Sequence, residues 1–495
     1  MQLVVREWRG QPGLEELARR LAAEPGVVFL KGGWPDAQGS RYSYLVADPF
    51  LTLTIQGSRL EWQSQRGGAG PERVWVDYGN PWRVLQAVWD RFELLDEPDL
   101  PFPLGGLFGF WGYELNRFVE PAVAPRARRD LEVPDGWVGF YDSVVVWDHC
   151  LGRGWILSAG LCPDGSRLKR RALERADAWE RRLAEVEGDA LADLPQRGTE
   201  AAPLLSGVGS TLSREAFLRA VERVQEYIRQ GHIYQVNLSQ RLMVRSPIAA
   251  WEMFRRLWEV SPAPYAAYLN GGPFQLVSAS PELFLQMSAS QILTRPIKGT
   301  RPRGAAPEED AQLALELQAS PKENAELVMI TDLLRNDLGR ICEFGSVHVP
   351  ELARLESYPQ VHHLVSTVEG RLRPGVSHLE ALAATFPGGS VTGAPKVRAM
   401  QIIEEVEPVA RHFFTGALGF LGFNRESRLS MIIRTACCLE GWVHFPVGAG
   451  IVADSDPESE YRETLAKAGG FLAALGWGKP GARTELAEVD SSGQG

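Results

Sequence analysis

Short apolar runs of strand length, among them YSYLVADPFLTLTI, GFYDSVVVWDH, HIYQVNLSQRLMV, PYAAYLNG and FQLVSAS, recur along the chain and are joined by turn clusters. A few segments of helical period are set between them. RLKRRALERADAWERRLAEVE carries helical charge pairing. Ser213 is a candidate N-cap with Glu215 in the first turn, and Phe217, Val221, Val224 and Ile228 recur at helical spacing up to Gly231. ENAELVMITDLLRND, HLEALAAT and PKVRAMQIIEEVE also read as helical segments. Strands joined by short turns, with helices inserted between groups of them, predict an α+β fold with mainly antiparallel sheets.

Residues 187–210, EGDALADLPQRGTEAAPLLSGVGS, are rich in Gly, Ala, Pro and Ser without a sustained period and read as a linker. They divide an N-terminal region, 1–186, from a second region, 211–475, which is followed by a polar tail, 476–495. The 495 residues suffice for two or three ordinary domains or for one large β-rich core. With 52 basic against 62 acidic residues and a net charge of −10, the composition does not indicate a nucleic-acid binder. MQLVVREWRGQPG lacks the apolar core of a signal peptide, and no window approaches the roughly 18 apolar residues of a membrane span. A cytoplasmic protein with no membrane partner is expected. The cysteines at 150, 162, 342, 437 and 438 form no C-x-x-C pair and no zinc spacing, which suits reduced thiols.

Five segments carry chemistry. QILTRPIKGTRPRG places Lys298 among three arginines, where the plain alternative is one more solvated cation. FPGGSVTGAPKVRAM combines glycines, Ser390, Thr392 and Pro395 ahead of a helix, a pattern suited to a carboxylate; it is no Walker loop, because Pro395 precedes Lys396 where glycine is required. Glu323 and Glu326 share a helix face, as do Glu460 and Glu463, with Lys467 one turn beyond Glu463. Carboxylates from two helices suit Mg²⁺ with waters completing the shell, although each set taken alone most often describes a solvated helix edge. In SYPQVHHLVSTVEG, His362 and His363 face opposite sides of a strand, so only one of them looks into a given site.

Taken in order, SASPELF, TRPIKGTRPRG, AELVMITDLLRNDLGRI, VHHLVSTVEG, FPGGSVTGAPKVRAM, MIIRTA and GAGIVADSDPESEYRET resemble the chorismate-utilising enzymes, a family that includes synthase subunits for anthranilate and aminodeoxychorismate and the isochorismate and salicylate synthases. The resemblance is dense from Ser213 to Gly470 and looser before that. It implies two mainly antiparallel sheets packed as a sandwich with helices outside, and makes 211–475 the chorismate-binding catalytic region. It assigns Glu282 as general acid, His363 as the active-site histidine, and Glu326 and Glu463 as Mg²⁺ ligands with Glu460 beside them. Arg434 and Lys467 would neutralise substrate carboxylates, helped by the amides of Gly448, Ala449 and Gly450 and by the Thr392–Gly393 turn.

Within that family, aminodeoxychorismate synthases carry lysine in the PIxGT motif where anthranilate synthases carry alanine, and this chain reads PIKGT. The resemblance therefore implies 4-amino-4-deoxychorismate, a precursor of 4-aminobenzoate and folate, made through a covalent adduct of Lys298. No G-x-C-x-G-x-Q motif surrounds any cysteine, so a separate glutamine amidotransferase subunit is implied as the ammonia source. A tryptophan pocket known in relatives would fall on Ser40, Arg41, Tyr42, Pro264, Tyr265 and Ala266, with Gly32 standing near the expected serine. Phe420 replaces a tyrosine of many relatives, which would remove one substrate hydrogen bond. The other readings are an anthranilate synthase component, an isochorismate or salicylate synthase, disfavoured because Gln235 stands where those enzymes place a lysine base, and a non-catalytic binding subunit.

Overall fold

The structure is a computed structural model that describes residues 3–9, 13–33, 40–64, 73–94, 100–190, 207–358 and 361–477. Two 12-stranded sheets dominate it, and every ladder between its strands is antiparallel. The first sheet begins at an edge with Val4–Trp8 and passes through Arg153–Ser158, Ser143–Asp148, Tyr42–Val46, Val28–Lys31, Tyr265–Asn270, Phe274–Ser280, Thr435–Leu439, Trp442–Ile451 and Gln235–Arg245 to Gly209–Ser210. The second runs from Ile297–Pro302 through Val361–Arg371, Gln291–Arg295, Leu283–Ser288, Glu426–Met431, Ala417–Gly422, Gly106–Trp111, Gly136–Tyr141, Leu51–Gln56 and Arg59–Ser64 to Arg73–Tyr78.

The period-two alternation of the first sheet explains the layering. Val28 and Leu30 face the second sheet and share a core with Leu53, Phe108, Phe140, Leu285 and Leu418, whereas Val27 and Phe29 face outward. That outer face is covered by helices Leu14–Leu21, Lys169–Ala190, Ala250–Val260 and Pro457–Ala474, through Leu17, Trp179, Phe254 and Phe471. The result is the sandwich with helices outside.

Helix starts follow local chemistry. Ser213 accepts from the Ala216 amide, Ser320 from Glu323 and Asp456 from Ser459, and Ser377 with Glu380 forms a reciprocal capping box. Pro395 is itself the N-cap of Lys396–Val406, so it stands just ahead of the first helical turn.

The expected linker is narrower than 187–210. Helix Lys169–Ala190 enters it from one side and Gly209–Ser210 pairs with Met243 and Leu242 on the other, while residues 191–206 lie outside the described residues, as does the tail from 478. Strands from before and after this stretch share both sheets, so the two sequence regions are not two separate cores. Among the described residues no helix is long and apolar enough to cross a membrane.

Candidate active site

Glu282 sits where the chain leaves the first sheet at Ser280 and enters the second at Leu283. Its carbonyl accepts from the Met431 amide at 3.1 Å, which fixes the crossing, and its carboxyl is buried. Ser390 Oγ donates to Glu282 Oε1 at 2.5 Å. Burial pushes the Glu282 carboxyl up to about 7, against the opposing pull of the Ser390 hydrogen bond and the charge of Lys298. A carboxylic acid half-protonated at neutral pH is what a general acid requires.

Lys298 lies in Ile297–Pro302, which pairs with Val361–Arg371 near one end of the second sheet. The pairing with Val361–Arg371 slips between Lys298 and Thr300, and Gly299 takes a φ of +72° at that bulge. A Cβ on Gly299 would come within 2.8 Å of Leu317, so the PIKGT glycine is needed both for its conformation and for space. The lysine side chain is only 14% exposed, and its Nζ stands 3.9 Å from Glu326 Oε2. It is not a solvated loop cation. The neighbouring arginines are engaged by carboxylates, Arg295 by Glu356 and Arg301 by Glu323 at 3.5 Å.

Glu326 projects from helix Pro321–Gly339, which packs on the Lys298 strand, and Glu463 from helix Pro457–Ala474, which packs on Trp442–Ile451. Burial raises the Glu326 carboxyl, Lys298 and Lys322 oppose this, and the charges of Glu323 and Glu463 add to it, so the carboxylates of the two helices repel across the cleft. Burial also acts on Glu463, but Lys467, bonded to it at 2.6 Å, together with Lys298 and Lys322, brings it below its ordinary value. Glu463 remains 51% exposed. Glu460 is buried, accepts from Ser455 Oγ at 2.7 Å, and is raised by burial and by the Glu463 charge. Among the described residues no three His, Cys, Asp or Glu side chains are gathered closely enough to cage a metal. Two repelling carboxylates with one side open suit Mg²⁺, which takes one or two protein carboxylates and keeps its remaining positions for water and substrate oxygens.

The paired histidines separate as the strand period requires. His362 bonds Asp310 at 2.9 Å and Ser357 at 2.8 Å, whereas His363 Nδ1 lies 3.0 Å from Thr300 Oγ1 and 3.4 Å from the Gly299 carbonyl, beside the Lys298 bulge. Burial holds the His363 ring down at about 4, only partly offset by the Gly299 bond, so it is neutral at pH 7. Lys467 Nζ donates to the Gly448 carbonyl at 2.8 Å, and Arg434 Nη1 to the Lys467 carbonyl at 3.3 Å. Burial lowers both cations, and Glu463 opposes this in each.

Gly448, Ala449 and Gly450 pair with Ser239, Leu238 and Asn237, and Trp442–Ile451 outruns its other neighbour, Thr435–Leu439, beyond His444. Thr392 turns its hydroxyl back on the Gly388 carbonyl at 3.0 Å, and Gly393 takes a φ of +142° where a Cβ would meet the Gln235 carbonyl at 2.2 Å. The Thr392 side chain therefore shapes the loop.

Two residues gain importance from the structure. Ser390 was read only as part of a glycine loop, and nothing in its sequence position pointed to Glu282. Gln235 is fully buried with Nε2 at 3.5 Å from Glu326 Oε2 and no partner for Oε1 among the described residues, and Gly450 makes room for it, since a Cβ there would stand 2.4 Å from Gln235 Nε2.

The candidate tryptophan residues lie elsewhere, between the sheets. Ser40 Oγ donates to the Pro264 carbonyl at 2.7 Å, while Arg41 turns away to a bidentate pair with Asp148. Pro264, Tyr265 and Ala266 line a cavity with Leu418, Arg428 and Ser430, but at about 20 Å³ it holds a water or two, far less than an indole. At Gly32 a Cβ would fall 2.3 Å from the Tyr42 carbonyl, so this backbone has no room for serine. Phe420 stacks on Phe108 and packs on Tyr44 beside this cavity, so the hydrogen bond expected of a tyrosine there is replaced by aromatic packing in the core.

The sheet sandwich thus gathers a buried acid, a half-buried lysine, two facing carboxylates and two cations in one cleft. Anthranilate synthase component I from Streptococcus pneumoniae shares the fold, with a TM-score of 0.74 at 29% identity over 89% of this chain and 94% of that one. Residues 53–473 match the chorismate binding enzyme family, and the chain belongs to it. It is 38% identical to aminodeoxychorismate synthase component 1 of Escherichia coli K12, over 94% of this chain and 97% of that one. It is 41% identical to anthranilate synthase component 1 of Thermus thermophilus, over 92% and 94%.

Proposed function

We propose that the chain is component I of an aminodeoxychorismate synthase, converting chorismate and ammonia to 4-amino-4-deoxychorismate for 4-aminobenzoate and folate synthesis. The observation that carries this reading is the inward placement of Lys298, 14% exposed and within reach of Glu326, with its charge acting on Glu282. In its amine form Lys298 attacks C2 of chorismate. The ring double bonds shift, and the C4–O bond breaks as Glu282 hands its proton to the departing hydroxyl, which leaves as water. Ammonia then attacks C4, the double bonds shift back, the C2–N bond to Lys298 breaks and returns the amine, and the new C4 ammonium gives one proton back to Glu282. The buried cleft keeps competing water from C4.

Glu326 and Glu463, backed by Glu460, would hold Mg²⁺, which when bound would neutralise and orient a substrate carboxylate. Arg434 and Lys467 bind the same anionic substrate, with the 448–450 strand edge alongside. Neutral His363, bonded through Nδ1, presents Nε2 as an acceptor that orients a hydroxyl or amine. Gln235 is an amide where an activated-water mechanism needs a base, and its free Oε1 accepts from an incoming amine. Ammonia comes from a separate glutamine amidotransferase subunit in the cytoplasm.

The identity to anthranilate synthase component 1 keeps a second reading open, in which ammonia adds at C2. Chorismate, Mg²⁺ and ammonium incubated with the purified chain, with product identified by chromatography and mass spectrometry, separate the two. The expected product is 4-amino-4-deoxychorismate. Anthranilate as sole product establishes the second reading, isochorismate overturns amination, and no turnover by a folded chain supports a binding subunit.

A further inference from the structure

The second sheet ends in a strand that is paired on one side only. Arg73–Tyr78 runs antiparallel to Arg59–Ser64 in unbroken register, and among the described residues no strand pairs with its other edge. Val74 is 60% and Tyr78 73% exposed, and Trp75 is exposed between them. Edges of this kind are usually blunted by charges, proline or a covering segment, because their free N–H and C=O groups template further pairing. The direction of those groups follows from the hairpin. The Arg73 amide donates to Ser64 Oγ at 3.1 Å and the Gly79 amide to the Ser58 carbonyl at 2.9 Å, so odd-numbered residues bond inward. By alternation Val74, Val76 and Tyr78 turn their backbone groups outward.

The edge sequence RVWVDY is self-complementary. Set antiparallel about a two-fold axis through Trp75, two copies oppose Val74 with Val76 and Arg73 with Asp77. The outward groups of Val74 and Val76 then exchange backbone hydrogen bonds with those of Val76 and Val74 in the second copy. Both Arg73–Asp77 pairs are of opposite charge. Trp75, stacked on Trp62 at 6.0 Å and 9° between planes, meets its counterpart and extends a row of indoles across the axis. Centring the axis on Val76 instead sets Arg73 opposite Gly79 and Trp75 opposite Asp77, so both charge pairs are lost.

We propose that this edge is a homodimer interface, at which a second copy of the chain pairs Arg73–Tyr78 with Arg73–Tyr78 and joins the two second sheets into one. The partner is a second copy because the charge pattern of the strand complements itself. The interface lies at the opposite end of the sheet from the Lys298 strand, so dimerisation leaves the catalytic cleft free. A strand pair of this length buries less than the about 1,000 Å² of a stable interface, so the dimer is reversible and depends on concentration in the micromolar range.

Sedimentation velocity of the full chain over about 1 to 200 µM tests this. The wild type is expected to shift from monomer to dimer across that range. R73D and D77R each set like charges opposite one another and should weaken association about tenfold or more, while the double variant R73D/D77R restores opposite charges and association. V76P removes an outward amide without touching the inner ladder and should leave a folded monomer. Chorismate turnover per chain should be the same in all four variants. A wild type that is monomeric throughout, single variants that dimerise as well as the wild type, or a folded double variant that fails to recover association would each overturn the proposal. A monomer that uses this edge only to bind a different protein would overturn it as well.

Discussion

Among single residues, Ser390 decides how Glu282 holds its proton. Its hydroxyl donates to Oε1 at 2.5 Å and leaves Oε2 as the oxygen that carries the transferable proton. As the proposed general acid Glu282 acts in its protonated form, so its share of kcat is expected to be lost as pH rises through about 7. The Ser390 bond favours the ionised form, so Ser390→Ala moves that alkaline limb to higher pH while lowering the plateau roughly five- to tenfold, the worth of one ordering hydrogen bond. Ser390→Thr keeps the hydroxyl and should restore both. A limb that stays at the wild-type pH in Ser390→Ala removes the serine from this role. Lys298 and the carboxylates of Glu326 and Glu463 were legible because each stands in a segment whose residue types announce charge chemistry, and Glu282 was legible only through the family resemblance. Ser390 was not, because its partner lies 108 positions away and no spacing rule links them.

The elements were legible where local chemistry sets them. The cap at Ser213 with the 3.6-residue stripe of Phe217, Val221 and Val224, and the segment HLEALAAT, mark helices that the structure places where the sequence did. What joins the elements was not legible. Lys396, read as part of an anion-binding loop, is buried and bonds Asp337 Oδ2 at 2.5 Å and the Thr385 carbonyl at 3.1 Å. It ties the helix that carries Glu326 to the loop that carries Ser390, so a structural ion pair joins the Glu326 side of the cleft to the Glu282 side. Burial raises Asp337 against the pull of Lys396, so the lone carboxylate would be costly. Lys396→Met should therefore cost about 3–5 kcal/mol in urea unfolding, and the double variant Asp337→Asn with Lys396→Met should cost less than the sum of the singles. Additive losses would show that the two side chains act independently.

For the whole molecule, the buried titratable groups set a pH window. Glu282 and Glu114 are pushed up to about 7, mainly by burial and for Glu114 also by Glu404 and Asp135, so their contribution is present below the ordinary carboxyl value and is lost as pH rises through about 7. His363, His378 and His444 are held down at about 4 by burial, so theirs is present above the ordinary 6.5 and is lost as pH falls toward 4. Stability should peak between about pH 6 and 7, and melting temperatures at about pH 5 and 8.5 should both be lower. A steady rise to pH 8.5 would contradict this. The interleaving of both halves of the chain in both sheets was also hidden from the sequence, since strand order depends on contacts far apart in the chain.

The central claim is that this fold delivers a lysine amine to C2 of chorismate, and Lys298→Ala with chorismate, Mg²⁺ and ammonium tests it. Removing the nucleophile should lower 4-amino-4-deoxychorismate formation about a thousandfold or more, on the order of 4 kcal/mol of barrier, and any residual product should be the 2-amino isomer or anthranilate. The same product at a rate near that of the wild type would contradict the covalent role of Lys298.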